Sequence, residues 1–249
     1  MRRHVRLIRG TPPGPAALDT ALSQALLQRV GSGELGESFR LYRPRRIVAF
    51  GRRDRNEPGF GNAVRAARAR GFEAVLRLAG GRAALFHEGT IAFAHAIPAR
   101  EPKAHIKERF DESAAIMAAA LRCLGIDTRI GEVPGEYCPG DHSVNARGAK
   151  KIVGIGQRLT AQAAHVGGVV VAERADLVRE VLVPVYEALD LQWDPATAGS
   201  AFDESGATWA DVEKALVAEL TRNYEVEEGV FDEETLALAE NLAPNHEPG

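Results

Sequence analysis

A chain of 249 residues, 45% hydrophobic and 26% charged, has the composition of one large α/β domain, or one domain with a small addition, and excludes disorder as a whole. Its formal net charge of −3 excludes a general pull toward nucleic acid or membrane, although arginines crowd the first half and acids the end. Two cysteines outside any repeated framework, no apolar run near the roughly 20 residues of a membrane span and no signal-peptide pattern after Met1-Arg2-Arg3-His4 predict a soluble, cytoplasmic protein.

Residues 4–8 read as a strand, broken by Thr11-Pro12-Pro13-Gly14-Pro15, and Leu18, Leu22, Leu26 and Leu27 then recur at helical spacing over residues 16–30. Strands are predicted over 39–42 and 47–50, an Arg/Ala-rich helix over 61–70, and two strands, 75–78 and 83–86, that flank Gly80-Gly81. Residues 90–97 alternate like a half-buried strand. Asp111 is placed to cap a helix that runs to Leu124 and stops at Gly125, with Cys123 on it as a small core-filling side chain.

Four strands follow, over 128–133, 142–146, 152–159 and 166–172, the middle two joined by a tight turn at Arg147-Gly148-Ala149. Residues 176–188 return to helix, which Pro184 should kink or split, and residues 207–222 form a last helix. The expected fold class is α+β, a mixed and largely antiparallel sheet with flanking helices. The expected division is a main domain over 1–190 and, over 191–249, an acidic linker and small helical appendage. Glu225, Glu227, Glu228, Asp232, Glu233 and Glu234 in it read as a solvated face.

The chemistry concentrates in Tyr137-Cys138-Pro139-Gly140 and Lys150-Lys151-Ile152-Val153-Gly154. A cysteine in a Gly/Pro-bounded turn is open to a substrate, and backbone amides near Gly140 are candidates to face a developing negative charge. Antiparallel pairing across the 147–149 turn would bring Lys151 to Cys138, where an ammonium stabilises a thiolate. This pairing points to acyl transfer, with Lys151→Ala expected to slow it and leave the fold intact. Gly80-Gly81, between Arg77 and Arg82, lets a ligand lie against the backbone, and neither a Walker loop nor a dinucleotide fingerprint is present. His87, His95 and His142 are discounted as a base beside Cys138: His87 is assigned to orienting a substrate, His142 is merely near in sequence and His95 is a core residue. No cluster has metal-ligand spacing.

Over about residues 18–189 these stretches resemble the biotin/lipoate protein ligase family, A/B type, and in particular its octanoyl/lipoyl transferase branch. Arg77-Leu78-Ala79-Gly80-Gly81 resembles the family's Arg-x-x-Gly-Gly pocket loop, and Lys151-Ile152-Val153-Gly154 its lysine motif, with Gln157-Arg158 and Gly167-Gly168 in family-like places. Members of the transferase branch carry a cysteine in a Tyr-Cys-Pro-Gly segment, and Cys138 falls on it. The resemblance implies that residues 1–190 are a catalytic domain, that Cys138 and Lys151 are catalytic, and that Arg77, Gly80, Gly81, His87 and Gly154 bind substrate.

It further implies an acyltransferase that passes octanoyl or lipoyl through a Cys138 thioester to a lysine of a lipoyl domain. Such an enzyme needs no cofactor. The partners implied are glycine-cleavage H protein and 2-oxoacid dehydrogenase E2 subunits, with acyl carrier protein as a further donor candidate and no nucleic acid or membrane. The acyl chain is expected in an apolar tunnel walled near residues 83–86 and 152–155. The alternative is an ATP-dependent lipoate-protein ligase working through lipoyl-AMP, with ATP and Mg as requirements. Leu76, where many members have a second arginine, and Arg82, where ligases usually have a third glycine, depart from the ligase pattern.

Overall fold

The computed structural model describes residues 2–248. In chain order the elements are β1 (His4–Arg9), α1 (Leu18–Ser32), β2 (Ser38–Tyr42), β3 (Ile47–Phe50), α2 (Arg52–Arg55), α3 (Phe60–Arg68), β4 (Glu73–Leu76), β5 (Ala84–Phe86) and β6 (Thr90–Pro98). Then come α4 (Ile106–Arg122), β7 (Thr128–Ile130), β8 (Val144–Ala146), β9 (Lys150–Leu159), β10 (Ala163–Val171), α5 (Ala175–Ala188), α6 (Ala201–Ser205), α7 (Trp209–Asn223), β11 (Glu225–Gly229) and α8 (Glu233–Leu242).

Eight strands form one mixed sheet in the order β11-β1-β2-β6-β10-β9-β8-β7, and β4-β3-β5 form a second. The pairings from β2 through β6, β10, β9 and β8 to β7 are antiparallel, whereas β1 is parallel to both β2 and β11. Successive side chains of a strand face opposite sides. Accordingly Val5 and Leu7 join the core under α4 and α7, while Ile8 joins Leu26, Leu27 and Val30 of α1. Helices cover both faces, which is why β6 is buried at every position but its last. The small sheet is backed by α3 and α5.

The hairpin turn at Arg147-Gly148 has positive φ at both residues (56° and 73°), the type I′ pattern that joins two antiparallel strands tightly. Three expectations are corrected. Helix α4 begins at Ile106, so Asp111 lies inside it and turns its carboxylate to Lys107 and His142 instead of capping. Cys123 is exposed at the C-terminal end of α4 and fills no core. Of the kink or split expected at Pro184, the split is excluded, because helix α5 continues across it from Ala175 to Ala188.

The residues beyond 190 pack closely on the rest of the chain. Trp193 packs on Tyr137 and Tyr186, and the Gly199 N–H donates to the Lys151 carbonyl at 3.0 Å. Strand β11 extends the main sheet, α7 packs on α4, and α8 packs on α1. His246 lies between the Leu76 carbonyl (2.8 Å) and Gln24 (2.6 Å). The acids of this end are mostly exposed, as expected, with Glu227, Glu228 and Asp232 beside His4, Arg9 and Arg29. Arg9 with Glu228 and Arg29 with Asp232 are ion pairs that join the two ends of the chain.

Candidate active site

The glycines of β9 and β10 make a floor without side chains. A Cβ on Gly168 would fall 1.9 Å from the Gly154 carbonyl oxygen, and one on Gly156 would fall 2.9 Å from Arg77. Above this floor opens a cavity of about 550 Å³. Its apolar walls come from Ala84 and Phe86 of β5, Ile155 and Leu159 of β9, Val169 of β10 and Phe110 of α4. That agrees with the tunnel walls expected near residues 83–86 and 152–155.

Cys138 lines the cavity from the loop between β7 and β8. Its φ is +45°, a conformation uncommon for a residue with a Cβ that persists only where the surroundings impose it. Three groups do so. The Cys138 N–H donates to the Tyr186 hydroxyl at 2.9 Å, and that hydroxyl donates to the Ala83 carbonyl at 2.9 Å. The Lys151 ammonium donates to the carbonyls of Tyr137 (3.0 Å) and Cys138 (2.7 Å) and pairs with Glu136 at 2.8 Å. Glu136 also accepts from the Ser143 hydroxyl and from the N–H groups of Gly140 and Val133. Burial pushes the Tyr137 and Tyr186 hydroxyls well above their ordinary range, so both stay neutral.

The expected partnership of Lys151 with the thiol is therefore corrected. Lys151 reaches the loop beside Cys138 but holds its backbone, from a position only 1% exposed. The Cys138 sulfur instead accepts from the Arg82 N–H at 3.2 Å and faces the Arg77 guanidinium at 3.6 Å. The amides of Cys138 and Gly140, expected to face a developing charge, are already taken by Tyr186 and Glu136. A one-residue slip between β8 and β9 leaves Ile152 without a partner there, and such a bulge re-aims the neighbouring Lys151.

The Gly80-Gly81 loop faces the thiol. At Gly81 φ is +113°, and a Cβ would fall 2.8 Å from the Cys138 sulfur, so only glycine fits. Arg82 turns away from the cavity to pair with Asp54 and Glu57, leaving Arg77 as the loop's charge on it. Gly154 lines the floor beside the Lys151 side chain.

His87 does not line this cavity. It is buried in the turn from β5 to β6, where its Nδ1 accepts from the Gly89 N–H at 3.0 Å, and burial lowers its pKa to about 4. His95 is a core residue as expected, bonded to Glu37 at 2.7 Å. His142 does line the cavity, stacked on Phe110 and bonded to Asp111 at 3.0 Å. Sequence reasoning missed Glu136, which stands beside the Tyr-Cys-Pro-Gly segment, and Tyr186, which no local pattern connects to Cys138.

Residues 15–186 match the model of the lipoyl protein ligase A/B catalytic domain. The chain belongs to this family. Among curated relatives, the octanoyl-[GcvH]:protein N-octanoyltransferase of Geobacillus kaustophilus is 30% identical over 64% of this chain and 58% of its own length. The enzyme of the same name from Anoxybacillus flavithermus is 30% identical over 70% of this chain and 66% of its own. The chain thus spans somewhat under two thirds of these relatives.

Lipoyl protein ligase structures share the fold. A lipoate-protein ligase A bound with ATP superposes with a TM-score of 0.77 at 20% identity, covering 98% of this chain and 95% of that one. A chain from a bipartite lipoate protein ligase system of Thermoplasma acidophilum gives 0.74 at 18% identity, over 98% and 92%. As a family member, the protein places its Arg-x-x-Gly-Gly loop, its lysine motif and its cysteine around one cavity.

Proposed function

We propose that this protein is an octanoyl or lipoyl transferase, acting through a thioester on Cys138. The observation that carries the proposal is the Cys138 sulfur itself. It stands in a partly apolar cavity in an imposed backbone conformation, with an amide and a guanidinium aimed at it. The names of the curated relatives support the same reading.

In the first half-reaction the Cys138 thiolate attacks the acyl carbonyl of the donor. The carbon–sulfur bond forms, and the donor's amide nitrogen or thiol leaves with the proton that the Cys138 thiol gave up. In the second, the ε-amine of an acceptor lysine attacks the thioester, the amide forms, the carbon–sulfur bond breaks and the proton lost by the nitrogen returns Cys138 to the thiol. Because the donor bond is already an amide or thioester, no ATP is consumed. The acyl chain lies along Phe86, Ile155 and Val169. Lys151 and Glu136 hold the loop that presents the sulfur, and Arg77 and the Arg82 amide hold the sulfur itself.

Donors and acceptors are lipoyl-domain proteins such as glycine-cleavage H protein and E2 subunits, with acyl carrier protein as a further donor. The ligase alternative would set Lys151 on the carboxyl and phosphate of an adenylate. Its ammonium is instead paired with Glu136 and two carbonyls, which favours the transferase.

Intact-mass spectrometry without ATP tests this. Mixing with octanoylated H protein or octanoyl-acyl carrier protein should give an octanoyl adduct that is sensitive to hydroxylamine and absent in Cys138→Ser. No adduct with either donor, together with ATP-dependent lipoylation of an acceptor domain, would establish the ligase instead.

A further inference from the structure

The acceptor lysine poses a proton problem that Cys138 and Lys151 do not solve. A lysine ε-amine arrives as an ammonium at neutral pH and must lose a proton before it can attack a thioester. Lys151 is ill-suited to take it, being held by Glu136 and two backbone carbonyls at 1% exposure. Cys138 is occupied by the acyl group. Arg77 is a permanent cation. Among the described residues lining the cavity, the one imidazole is His142, and a neutral imidazole has one ring nitrogen that can accept a proton.

Its setting is that of an oriented base. Asp111 bonds its Nε2 at 3.0 Å, and the Phe110 ring stacks on it at 4.8 Å and 16°. Both partners come from α4, so the ring is fixed between a helix and the cysteine loop, with Nδ1 left free of Asp111. A carboxylate behind an imidazole sets its tautomer and stabilises the imidazolium once a proton has been taken. Lys107 pairs with the other Asp111 oxygen at 2.5 Å and, with His142, holds that carboxyl below its usual range, so it remains an anion. His142 is half-buried on the cavity wall beside the exposed Asp141 and Lys107.

We propose that His142, oriented by Asp111, accepts the proton of the incoming lysine in the second half-reaction. This rests on the transferase reading. The ammonium gives one proton to His142 and becomes the nucleophile. The nitrogen–carbon bond forms, the carbon–sulfur bond breaks, the second nitrogen proton passes to the Cys138 thiolate, and His142 releases its proton to solvent.

The test separates nucleophiles. Octanoyl-enzyme is prepared from octanoylated H protein and discharged either by a lipoyl domain or by hydroxylamine, which is uncharged at neutral pH and needs no base to free it. In His142→Gln, discharge to the lysine should fall about 10²-fold while discharge to hydroxylamine stays within about twofold. Asp111→Asn should show the same split at about tenfold. Equal slowing of both nucleophiles would reduce His142 to a structural residue and overturn the proposal, as would unchanged transfer to the lysine. If the wild type forms no octanoyl-enzyme at all, the transferase reading falls first, and His142 loses its role with it.

Discussion

The two cysteines of this chain show how little a thiol's exposure says about its role. Cys123 is the more exposed, yet its sulfur meets only an outlying Arg222 nitrogen at 3.8 Å at the end of a helix. Cys138 is less exposed but surrounded by constraint, with its N–H, its carbonyl and its sulfur each held by a different segment of the chain. Reactivity is built from the groups that fix and solvate a thiol, and these come from tertiary structure.

The strongest way to break this contrast is to crowd the built site. Gly81→Ala adds a Cβ 2.8 Å from the Cys138 sulfur at a φ of +113°. Octanoyl-enzyme formation, followed by rapid-quench mass spectrometry, should slow by about 10²-fold or more, since small misplacements of a reacting atom are this costly.

Lys151→Ala addresses the lock beneath the loop. It leaves the buried Glu136 carboxylate without its cation, and removing one partner of such a pair costs about 3–5 kcal/mol. A urea titration should show that loss. An unchanged midpoint would restore the expectation, drawn from sequence, that the fold stays intact.

Acid titration probes the buried wall behind the site. Burial lowers His87 to about 4 and His165 to about 3, against an unfolded value near 6.5. Below that value the unfolded chain takes protons that the folded one refuses. Stability should therefore fall as pH drops from about 6.5, by up to about 1.4 kcal/mol per pH unit for each group, down to their folded values. His87→Gln should flatten the fall between pH 6.5 and 4, as read by denaturant midpoints across pH. The smallest effect belongs to the other cysteine, because Cys123→Ser should change stability by no more than about 0.5 kcal/mol and leave acyl-enzyme formation unchanged.

Much of the site was legible because its parts are local. Gly80-Gly81, the Tyr-Cys-Pro-Gly turn and the lysine hairpin each announce a backbone conformation through glycine, proline or strand alternation. What misled was the assumption that residues brought near one another meet through their side chains. The hairpin does bring Lys151 to Cys138, but the bulge and the Glu136 carboxylate turn the ammonium onto the backbone. His87 closes a sequence motif that borders the cavity, yet the β5–β6 turn buries it away from the lining. The last segment looked detached because the residues from 191 onward read as a linker. Three of its acids, Glu227, Glu228 and Asp232, face His4, Arg9 and Arg29 at the opposite end of the chain.

The sequence by itself determined the α+β class, most of the strands and helices, and the three motifs that line the cavity, because hydrophobic period and turn chemistry act within a few residues. Only the tertiary structure decided that β11 completes the main sheet, that Arg77 and the Arg82 amide attend the sulfur, that Glu136 and Tyr186 hold the loop, and that Asp111 faces His142. Those relations join residues distant in sequence or depend on which way a side chain turns, and both are resolved only when the chain packs.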